Sequence, residues 1–200
     1  MSRRPASLRL RRIRPLTGAD RWGRSVYREA FPASERLPWA VLHALSLRPG
    51  IDLIAWYDVR HDDAAGARAE SPSALTWTVR RRDERLLYLF YLAVDPAARG
   101  RGVGSRLLAE LSRRHPGCTI VLDVEPVVDD APNAEQRRRR LAFYERAGFR
   151  DTGLALTDAT GDYWPLVKEA DGAPFTEDAY RSLLRHLDLG LTGTRLGPRR

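Results

Sequence analysis

The stretch 86–105, LLYLFYLAVDPAARGRGVGS, constrains the fold more than any other part of this 200-residue chain. Residues 86–94 mix aromatic, Leu and Val side chains without helical periodicity, which predicts a strand buried on both faces. Pro96 lacks an amide hydrogen and restricts Asp95, so the strand is expected to end there. Apolar positions then recur at helical spacing from Val103 onward. The stretch therefore predicts a strand, a glycine-rich turn and the start of a helix.

The turn in this stretch has the composition of an anion-binding site. The first amides of a helix have no intrahelical partners, and the helix dipole is positive at that end. Glycine at positions 100, 102 and 104 tolerates positive φ and lets the backbone approach a bulky phosphate closely. Arg99 and Arg101 add charge-assisted donors, each worth roughly 1.5–3 kcal/mol. A diphosphate is the predicted ligand, and a glycine-rich turn with solvated arginines is the alternative.

Two motifs connect the chain to a known family. No Lys-Ser/Thr pair follows the glycines and their spacing does not match the dinucleotide fingerprint, which excludes the better-known phosphate loops. The pattern Arg99-x-x-Gly102-x-Gly104 instead resembles the acyl-CoA diphosphate loop of the GCN5-related N-acetyltransferases, the GNAT family. The segment YERAGF at 144–149 is similar to the Tyr-Glu-Lys/Arg-x-Gly-Phe signature that ends a later helix in the same family. The resemblance extends roughly over residues 8–168.

The resemblance implies an α/β (α+β) GNAT fold in a single acyltransferase domain over residues 1–189, followed by a disordered tail over residues 190–200. Its mixed central sheet has about seven strands, is flanked by helices, and splays apart between the fourth and fifth strands, where acyl-CoA lies. A helix predicted over residues 176–189 would be an addition at the C-terminal end.

The chain before the opening stretch is expected to supply the other substrate's site. A first strand is predicted near residues 8–13, and two helices follow, separated by Phe31-Pro32, with Thr17 or Asp20 as the first N-cap. In the family that the chain resembles, such a helical pair builds the wall of the acceptor site. The polar residues 60–73 are expected to form a mobile hairpin loop between two strands.

By the same resemblance, the donor substrate is acetyl-CoA. The backbone amides of Leu92, Ala93 and Val94 are expected to hold the pantetheine arm and the acyl carbonyl. The residues expected at the diphosphate are Arg99, Gly100, Arg101, Gly102, Val103, Gly104 and Ser105. Tyr144 takes the position of the tyrosine that protonates the departing thiolate, and a phenol with a pKa near 10 suits a thiol with a pKa around 8.5. The alternative for Tyr144 is a core aromatic on a helix face.

The chain departs from the family pattern before that tyrosine. Many family members carry an asparagine seven residues ahead, whereas this chain has Arg137, the first of four consecutive arginines. A separation of seven residues brings Arg137 and Tyr144 onto one helix face. This predicts that Arg137 reaches the CoA groove or the acceptor pocket. The alternative is an exposed first turn in which Asn133 takes the role of the family asparagine.

Direct attack by an amine also needs a proton acceptor. Glu125, at the end of the fifth predicted strand, is the candidate general base, and a solvated acid at a strand end is the alternative. Glu35, on the acceptor-side helix, and Glu84, before the fourth strand, are further carboxylates near the predicted site. The predicted catalytic pair is therefore Tyr144 and Glu125, and no metal site is predicted.

Composition limits the remaining function classes. The formal charge of +8 comes almost entirely from arginine, and it favours phosphorylated cofactors, nucleic acid or acidic membrane surfaces as partners. No recognised nucleic-acid motif is present, and no apolar run is long enough to span a membrane. Cys118 is the only cysteine, which excludes an internal disulfide and fits a reducing compartment. A cytoplasmic monomer or homodimer is expected.

The prediction that combines these features is an acyl-CoA-dependent N-acetyltransferase. It would transfer an acetyl group from acetyl-CoA to a primary amine of a small molecule, by direct attack with Tyr144 as general acid. The alternatives are a non-catalytic acyl-CoA-binding protein of the same fold, a protein N-acetyltransferase, and a basic protein associated with nucleic acid.

Overall fold

The computed structural model describes residues 7–62, 67–187 and 194–199. Its strands are β1 (Ser7–Arg12), β2 (Ile51–Asp62), β3 (Ala67–Arg81), β4 (Leu86–Val94), β5 (Thr119–Val124), β6 (Arg150–Asp151), β7 (Leu154–Asp158), β8 (Gly161–Lys168) and β9 (Arg195–Pro198). Its helices are α1 (Gly18–Ala30), α2 (Trp39–Leu45), α3 (Val103–Arg114), α4 (Ala134–Arg146) and α5 (Glu177–Leu187). Short 3-10 turns lie at Ala33–Glu35 and Pro96–Ala98.

The chain divides into two compact units, which are described separately. The first unit comprises Met1–Thr78 and Tyr91–Arg113, and the second comprises Val79–Phe90 and Arg114–Arg200. Strands β3 and β4 contribute residues to both units. The single domain expected from the sequence stays a prediction.

The first unit contains the strand order β1-β2-β3-β4. Strand β1 pairs antiparallel with β2, from Ser7 opposite Val59 to Arg12 opposite Ile54. Helix α1 begins after Thr17, whose hydroxyl accepts a hydrogen bond from the Asp20 amide, so Thr17 is the N-cap. The core is built from large apolar side chains with 2% exposure or less, among them Tyr27, Leu42, Trp56, Trp77 and Leu107.

The second unit contains the strand order β4-β5-β8-β7-β9, with β6 also pairing with β8. Strands β4 and β5 pair in parallel over Leu86–Tyr88 and Thr119–Val121. Strand β8 pairs antiparallel with β5, β6 and β7, and β7 pairs antiparallel with β9. This parallel ladder ends after three residue pairs, although β4 continues to Val94 and β5 to Val124. The predicted mixed sheet with flanking helices and a C-terminal helix is confirmed, and α5 is that helix.

The strand count and the C-terminal tail differ from the expectation. The described residues form nine strands instead of about seven, because β6 is a two-residue strand and β9 was not predicted. Residues 190–200 were expected to be a disordered tail, but β9 pairs with β7, and the buried Leu196 lies opposite Leu156. The Arg199 guanidinium lies 4.0 Å from the centroid of the Trp164 ring. Positions 190–193 and 200 lie outside the described residues.

The expected hairpin loop at residues 60–73 is also wrong for most of its length. Strand β2 continues to Asp62 and β3 begins at Ala67, so only 63–66 fall between them, and these lie outside the described residues. The Ser73 hydroxyl accepts a hydrogen bond from the Asp58 amide at 2.9 Å. The Glu70 carboxylate pairs with Arg9 and Arg11 of β1. Pairing with neighbouring strands therefore outweighs the polar composition of this segment.

Candidate active site

The predicted phosphate loop lies in the first unit, directly after β4. Asp95 Oδ1 accepts a hydrogen bond from the Ala97 amide at 2.9 Å, which caps the 3-10 turn at Pro96–Ala98. Asp95 Oδ2 accepts a second bond from Trp22 Nε1 of α1 at 2.7 Å. The predicted end of the strand at Asp95-Pro96 is therefore confirmed, and α1 holds the start of the loop in place.

Two of the three loop glycines have a backbone that other residues rarely adopt. Gly100 has φ +72° and Gly102 has φ +69°, and no heavy atom lies within 4 Å of a Cβ built at either position. Gly104 instead belongs to the first turn of α3, which begins at Val103 as predicted. The space beside Gly100 and Gly102 is thus open on the side where a ligand could approach.

The start of α3 presents unpaired amides. The first helical hydrogen bond runs from the Arg106 amide to the Gly102 carbonyl at 3.1 Å, so the amides of residues 103–105 precede the helical ladder. Arg99 Nε donates to the Val94 carbonyl at 3.3 Å, and the Arg99 and Arg101 side chains are exposed. This arrangement suits an anion with several oxygens.

The strand residues before the loop have a mixed environment. Ala93 is 2% exposed, and Leu92 and Val94 are half-buried. The backbone amides of these residues were expected to bind the pantetheine arm, and this role stays a prediction.

A buried ion pair that the sequence reasoning missed holds α3 against β2. Asp58 is 2% exposed, and its carboxylate accepts from Arg106 at 2.9 Å and from Arg60 at 3.1 Å. Burial alone would raise the pKa of Asp58, but the hydrogen bonds and charges of the two arginines outweigh it and lower the pKa. The sequence did not single out Asp58, since β2 also contains Asp52 and Asp62, and only its burial shows that it requires a partner.

The helical pair of the first unit encloses a cavity of about 660 Å³, lined by Pro15, Asp20, Arg24, Tyr27, Arg28, Ala33, Arg36, Leu37, Pro38, Trp39, Ala40 and His43. Asp20 Oδ1 accepts from Trp39 Nε1 and contacts His43 Nε2, each at 2.8 Å. Burial raises the pKa of Asp20, but these bonds and the one from the Leu16 amide lower it overall. The carboxylate therefore stays ionised and holds α1 and α2 together.

In the second unit, Tyr144 lies on α4 with 8% exposure, and its ring packs between Phe143 and Phe149. Burial raises the pKa of Tyr144 to about 12, and the nearby charge of Arg140 opposes this only in part. The phenol therefore stays protonated at neutral pH. Within the described part of the chain, the Tyr144 hydroxyl makes no hydrogen bond.

The predicted base Glu125 lies at the centre of a charged cluster in the second unit. Its Oε1 pairs with Arg137 at 2.8 Å, and its Oε2 pairs with Arg140 at 3.0 Å. Asn133 Nδ2 donates to Oε1 at 3.4 Å. The Asn133 side chain does not cap α4. Both carboxylate oxygens are thus already engaged, and the role of Glu125 as a base stays a prediction.

The four arginines of α4 separate into two faces. Arg137 also donates to the Pro126 carbonyl at 2.9 Å, and its Nε is buried without a partner in the described structure. Arg138 pairs with the exposed Asp129, and Arg139 pairs with Glu135 of the same helix. Arg137 therefore faces inward, next to Glu125, as the helix spacing indicated. Its contact with CoA or with an acceptor stays a prediction.

A second acidic group of this unit was missed. Asp123 of β5 accepts hydrogen bonds from the hydroxyls of Tyr88 at 2.5 Å and of Tyr180 at 2.7 Å. Burial raises the pKa of Asp123 to about 6, the two tyrosines oppose the shift, and the charge of Asp158 adds to it. Tyr180 belongs to α5, so this carboxylate joins the C-terminal helix to the sheet.

Taken with the mixed sheet, the loop before α3 defines an α/β protein with an exposed, glycine-rich helix start. Comparison with known proteins finds a related family: residues 63–151, just under half of the chain, match the family model of the acetyltransferase (GNAT) domain.

Two relatives in sequence carry acetyltransferase names. The candidate acetyltransferase YjbC of Bacillus subtilis is 37% identical over 67 residues, which is 34% of this chain and 32% of that protein. The peptidyl-lysine N-acetyltransferase YjaB of Salmonella typhimurium is 28% identical over 127 residues, which is 55% of this chain and 80% of that protein. The chain thus matches about a third of the length of YjbC.

Solved structures share the fold at low sequence identity. An aminoglycoside 6′-N-acetyltransferase complexed with coenzyme A has a TM-score of 0.58 and 16% identity over 83% of this chain and 99% of that one. A Bacillus subtilis acetyltransferase in complex with CoA has a TM-score of 0.53 and 12% identity over 82% and 99% of the two chains.

Two further observations concern the described residues only. None of their helices combines the length and apolar character needed to cross a membrane. None of their His, Cys, Asp and Glu side chains form a group of three or more that could hold a metal ion.

Proposed function

We propose that the protein is an acyl-CoA-dependent N-acetyltransferase that uses acetyl-CoA as donor. The observation that carries the proposal is the loop Arg99–Ser105, with two left-handed glycines, unpaired helix amides and two exposed arginines. A diphosphate carries several negatively charged oxygens, and such a loop stabilises them through backbone dipoles and guanidinium donors. The neighbouring amides of Leu92–Val94 would hold the pantetheine arm and the acyl carbonyl, as in the family.

The role of Tyr144 is carried over from the family signature. In the proposed reaction, the lone pair of a neutral amine forms a bond to the thioester carbon, and the resulting tetrahedral intermediate expels the CoA thiolate. Tyr144 donates its phenolic proton to that sulfur, and the amine loses one proton to an acceptor. A pKa of about 12 in the free protein keeps the donor protonated at every pH at which the amine is tested.

Glu125 is the proposed proton acceptor of the amine. Its ion pairs with Arg137 and Arg140 give it a second role, because they join the end of β5 to α4. The variant Glu125→Gln distinguishes the role as proton acceptor from the role in the ion pairs. Loss of a base would remove the acidic limb of the pH profile of kcat, whereas loss of an ion pair would change stability and leave that limb in place.

The acceptor is proposed to be a primary amine of a small molecule. The name of the Salmonella relative YjaB favours a second candidate, the lysine side chain of a peptide or protein. Both acceptors present the same reacting group, so the donor site and Tyr144 serve either one.

The test measures thiol release from acetyl-CoA with a panel of small amines and with a lysine-containing peptide. We expect one class to support turnover, and we expect Tyr144→Phe to lower kcat by about 100-fold, in line with the contribution of a general acid. The KM for acetyl-CoA should change less than threefold, since the phenol acts on the leaving sulfur.

Tyr57→Phe is the matched control, because Tyr57 lies on β2 and its ring packs against the Arg11 guanidinium, which has no role in the proposed reaction. Binding of acetyl-CoA without any turnover would favour the non-catalytic alternative. Equal kcat in Tyr144→Phe and the natural protein would refute the general-acid role.

A further inference from the structure

The cavity between α1 and α2 combines positive charge with aromatic walls. Three arginines line it, Arg24 and Arg28 from α1 and Arg36 from the segment before α2. Asp20 is the only acidic residue among the lining residues, so the cavity carries net positive charge even when His43 is neutral. Trp39, Tyr27 and Leu37 add apolar surface beside these charges. A ligand with an anionic group next to a planar or apolar part matches this lining.

Two arginines of α1, Arg24 and Arg28, have no carboxylate partner among the described residues. Arg24 and Arg28 stand four residues apart, so they project from one helix face, where like charges repel. In the part of the chain that the structure describes, their guanidinium groups form no ion pair or hydrogen bond. The Arg36 guanidinium donates, among the described residues, only to the Arg28 carbonyl, at 3.5 Å. An anion in the cavity would relieve the repulsion and supply the missing acceptors.

The Asp20 carboxylate could have neutralised Arg24, its neighbour one turn away, but it is engaged elsewhere. It holds Trp39, His43 and the Leu16 amide, the last at 3.1 Å. Leu16 has φ +65° and is 92% exposed, so the turn before α1 is kept in a conformation that leucine rarely adopts. The cavity wall is therefore preorganised while its arginines stay available.

The cavity wall is also tied to β4. The Tyr91 hydroxyl donates to the Glu35 carbonyl at 2.7 Å and accepts from the Leu37 amide at 3.2 Å. Tyr91 directly precedes Leu92–Val94, the residues proposed to hold the thioester, and all of these residues belong to the first unit. We propose that the acceptor amine carries a carboxylate or a phosphate, and that Arg24, Arg28 and Arg36 bind this group. The inference rests on the proposed function, since only an acetyltransferase has an acceptor amine.

The test compares amines that differ only in an anionic group. The carboxylate probe is 4-(aminomethyl)benzoate with 4-(aminomethyl)benzamide as its uncharged isostere, and the phosphate probe is pyridoxamine 5′-phosphate with pyridoxamine. Each is titrated calorimetrically into the whole protein saturated with CoA, at a fixed ionic strength of about 0.15 M, because screening weakens such contacts. We expect the charged member of at least one pair to bind at least tenfold more tightly. The probe pair in which the charged member binds more tightly shows whether the cavity prefers a carboxylate or a phosphate.

The variant is Arg24→Gln/Arg28→Gln, and Arg21→Gln is its matched control on the same helix, outside the cavity lining. We expect the double variant to bind the probe with the anionic group at least tenfold more weakly. Its affinity for the probe without that group should not change. The control should keep both affinities.

Equal binding within each pair, including no detectable binding by either member, overturns the inference, as does an unchanged preference in the double variant. The two proposals fail separately. Thiol release with uncharged amines alone would leave the proposed function standing without the anion site. An anion preference without thiol release from any amine would leave the anion site and remove the enzymatic function.

Discussion

At the scale of single residues, Asp123 is a buried acid whose pKa depends on its surroundings. Its carboxylate is bound by the hydroxyls of Tyr88 and Tyr180, yet burial still raises its pKa to about 6. An acid whose pKa is higher in the folded chain than in the unfolded chain binds protons more tightly when folded. Its favourable contribution is therefore fully present below the unfolded pKa of 3.8 and is lost as the pH rises through about 6.

We predict that Asp123→Asn removes this pH dependence. Between pH 4 and pH 7.5 the free energy of unfolding of the natural protein should fall relative to the variant by up to about 3 kcal/mol, the value for a shift of about two pKa units. Urea unfolding at several pH values measures the difference. Asp130→Asn, at an exposed position, is the control and should run parallel to the natural protein. Parallel curves for Asp123→Asn would contradict the prediction.

At the scale of elements, α3 depends on one contact with β2 for its position. Arg106 directly follows the proposed diphosphate amides of residues 103–105 and binds the buried Asp58 at 2.9 Å. The contact therefore sets the place of the helix start as well as contributing to stability. Helical periodicity accounts for the buried Val103, Leu107, Leu108 and Leu111, but it contains no information about this contact.

We predict that Arg106→Met lowers the free energy of unfolding by about 1.5–3 kcal/mol, the value of a hydrogen bond to a charged group. Arg113→Met on the same helix removes the exposed pair with Glu110 and should leave the free energy of unfolding nearly unchanged, because water screens that pair. Since the pKa of Asp58 is lowered in the fold, the stabilisation is present above pH 3.8 and is lost as the pH falls through the lowered value. Equal costs for the two variants by urea unfolding would contradict the role of the contact.

At the scale of the whole molecule, acetyl-CoA should stabilise the folded chain by mass action. At a concentration about 100 times its Kd, a ligand that binds only the folded state adds about 2.7 kcal/mol. For a chain of this length, that corresponds to a rise in Tm of roughly 5–10 °C in a thermal melt. Absence of any rise at saturating acetyl-CoA would contradict the proposed donor.

We predict that Gly102→Val abolishes this rise. Gly102 has φ +69°, so a β-branched residue is strained there, and its side chain would occupy the open space beside the loop. Gly153→Val is matched in backbone, with φ +75° and equally open surroundings in a turn of the second unit. Both variants should lower Tm without ligand, but only Gly153→Val should keep the full acetyl-CoA rise. A full rise in Gly102→Val would place the diphosphate elsewhere.

The ends of helices and strands that are set by adjacent residues could be predicted from the sequence to within a residue or two. Helices α3 and α4 begin and end where the periodicity indicated, and β4 ends before Asp95-Pro96, where the proline supplies no amide to the sheet and a 3-10 turn begins. Strand β9 and the extensions of β2 and β3 were missed. Their polar residues adopt strand conformation because they pair with neighbouring strands, which the local sequence does not indicate. Among the site residues, the loop geometry was readable, but the partners of Glu125 were not.

The sequence by itself indicated the resemblance to the GNAT family, the mixed fold and the loop at 99–105, because glycine, proline and helical spacing act on adjacent residues. Only the tertiary structure decided which charges are buried together, such as Asp58 with Arg106 and Asp20 with His43. It also decided that Arg24 and Arg28 line a cavity without a carboxylate partner among the described residues. The physical reason is that electrostatic interactions depend on distance and burial, and residues 20 to 50 positions apart acquire both only when the chain folds.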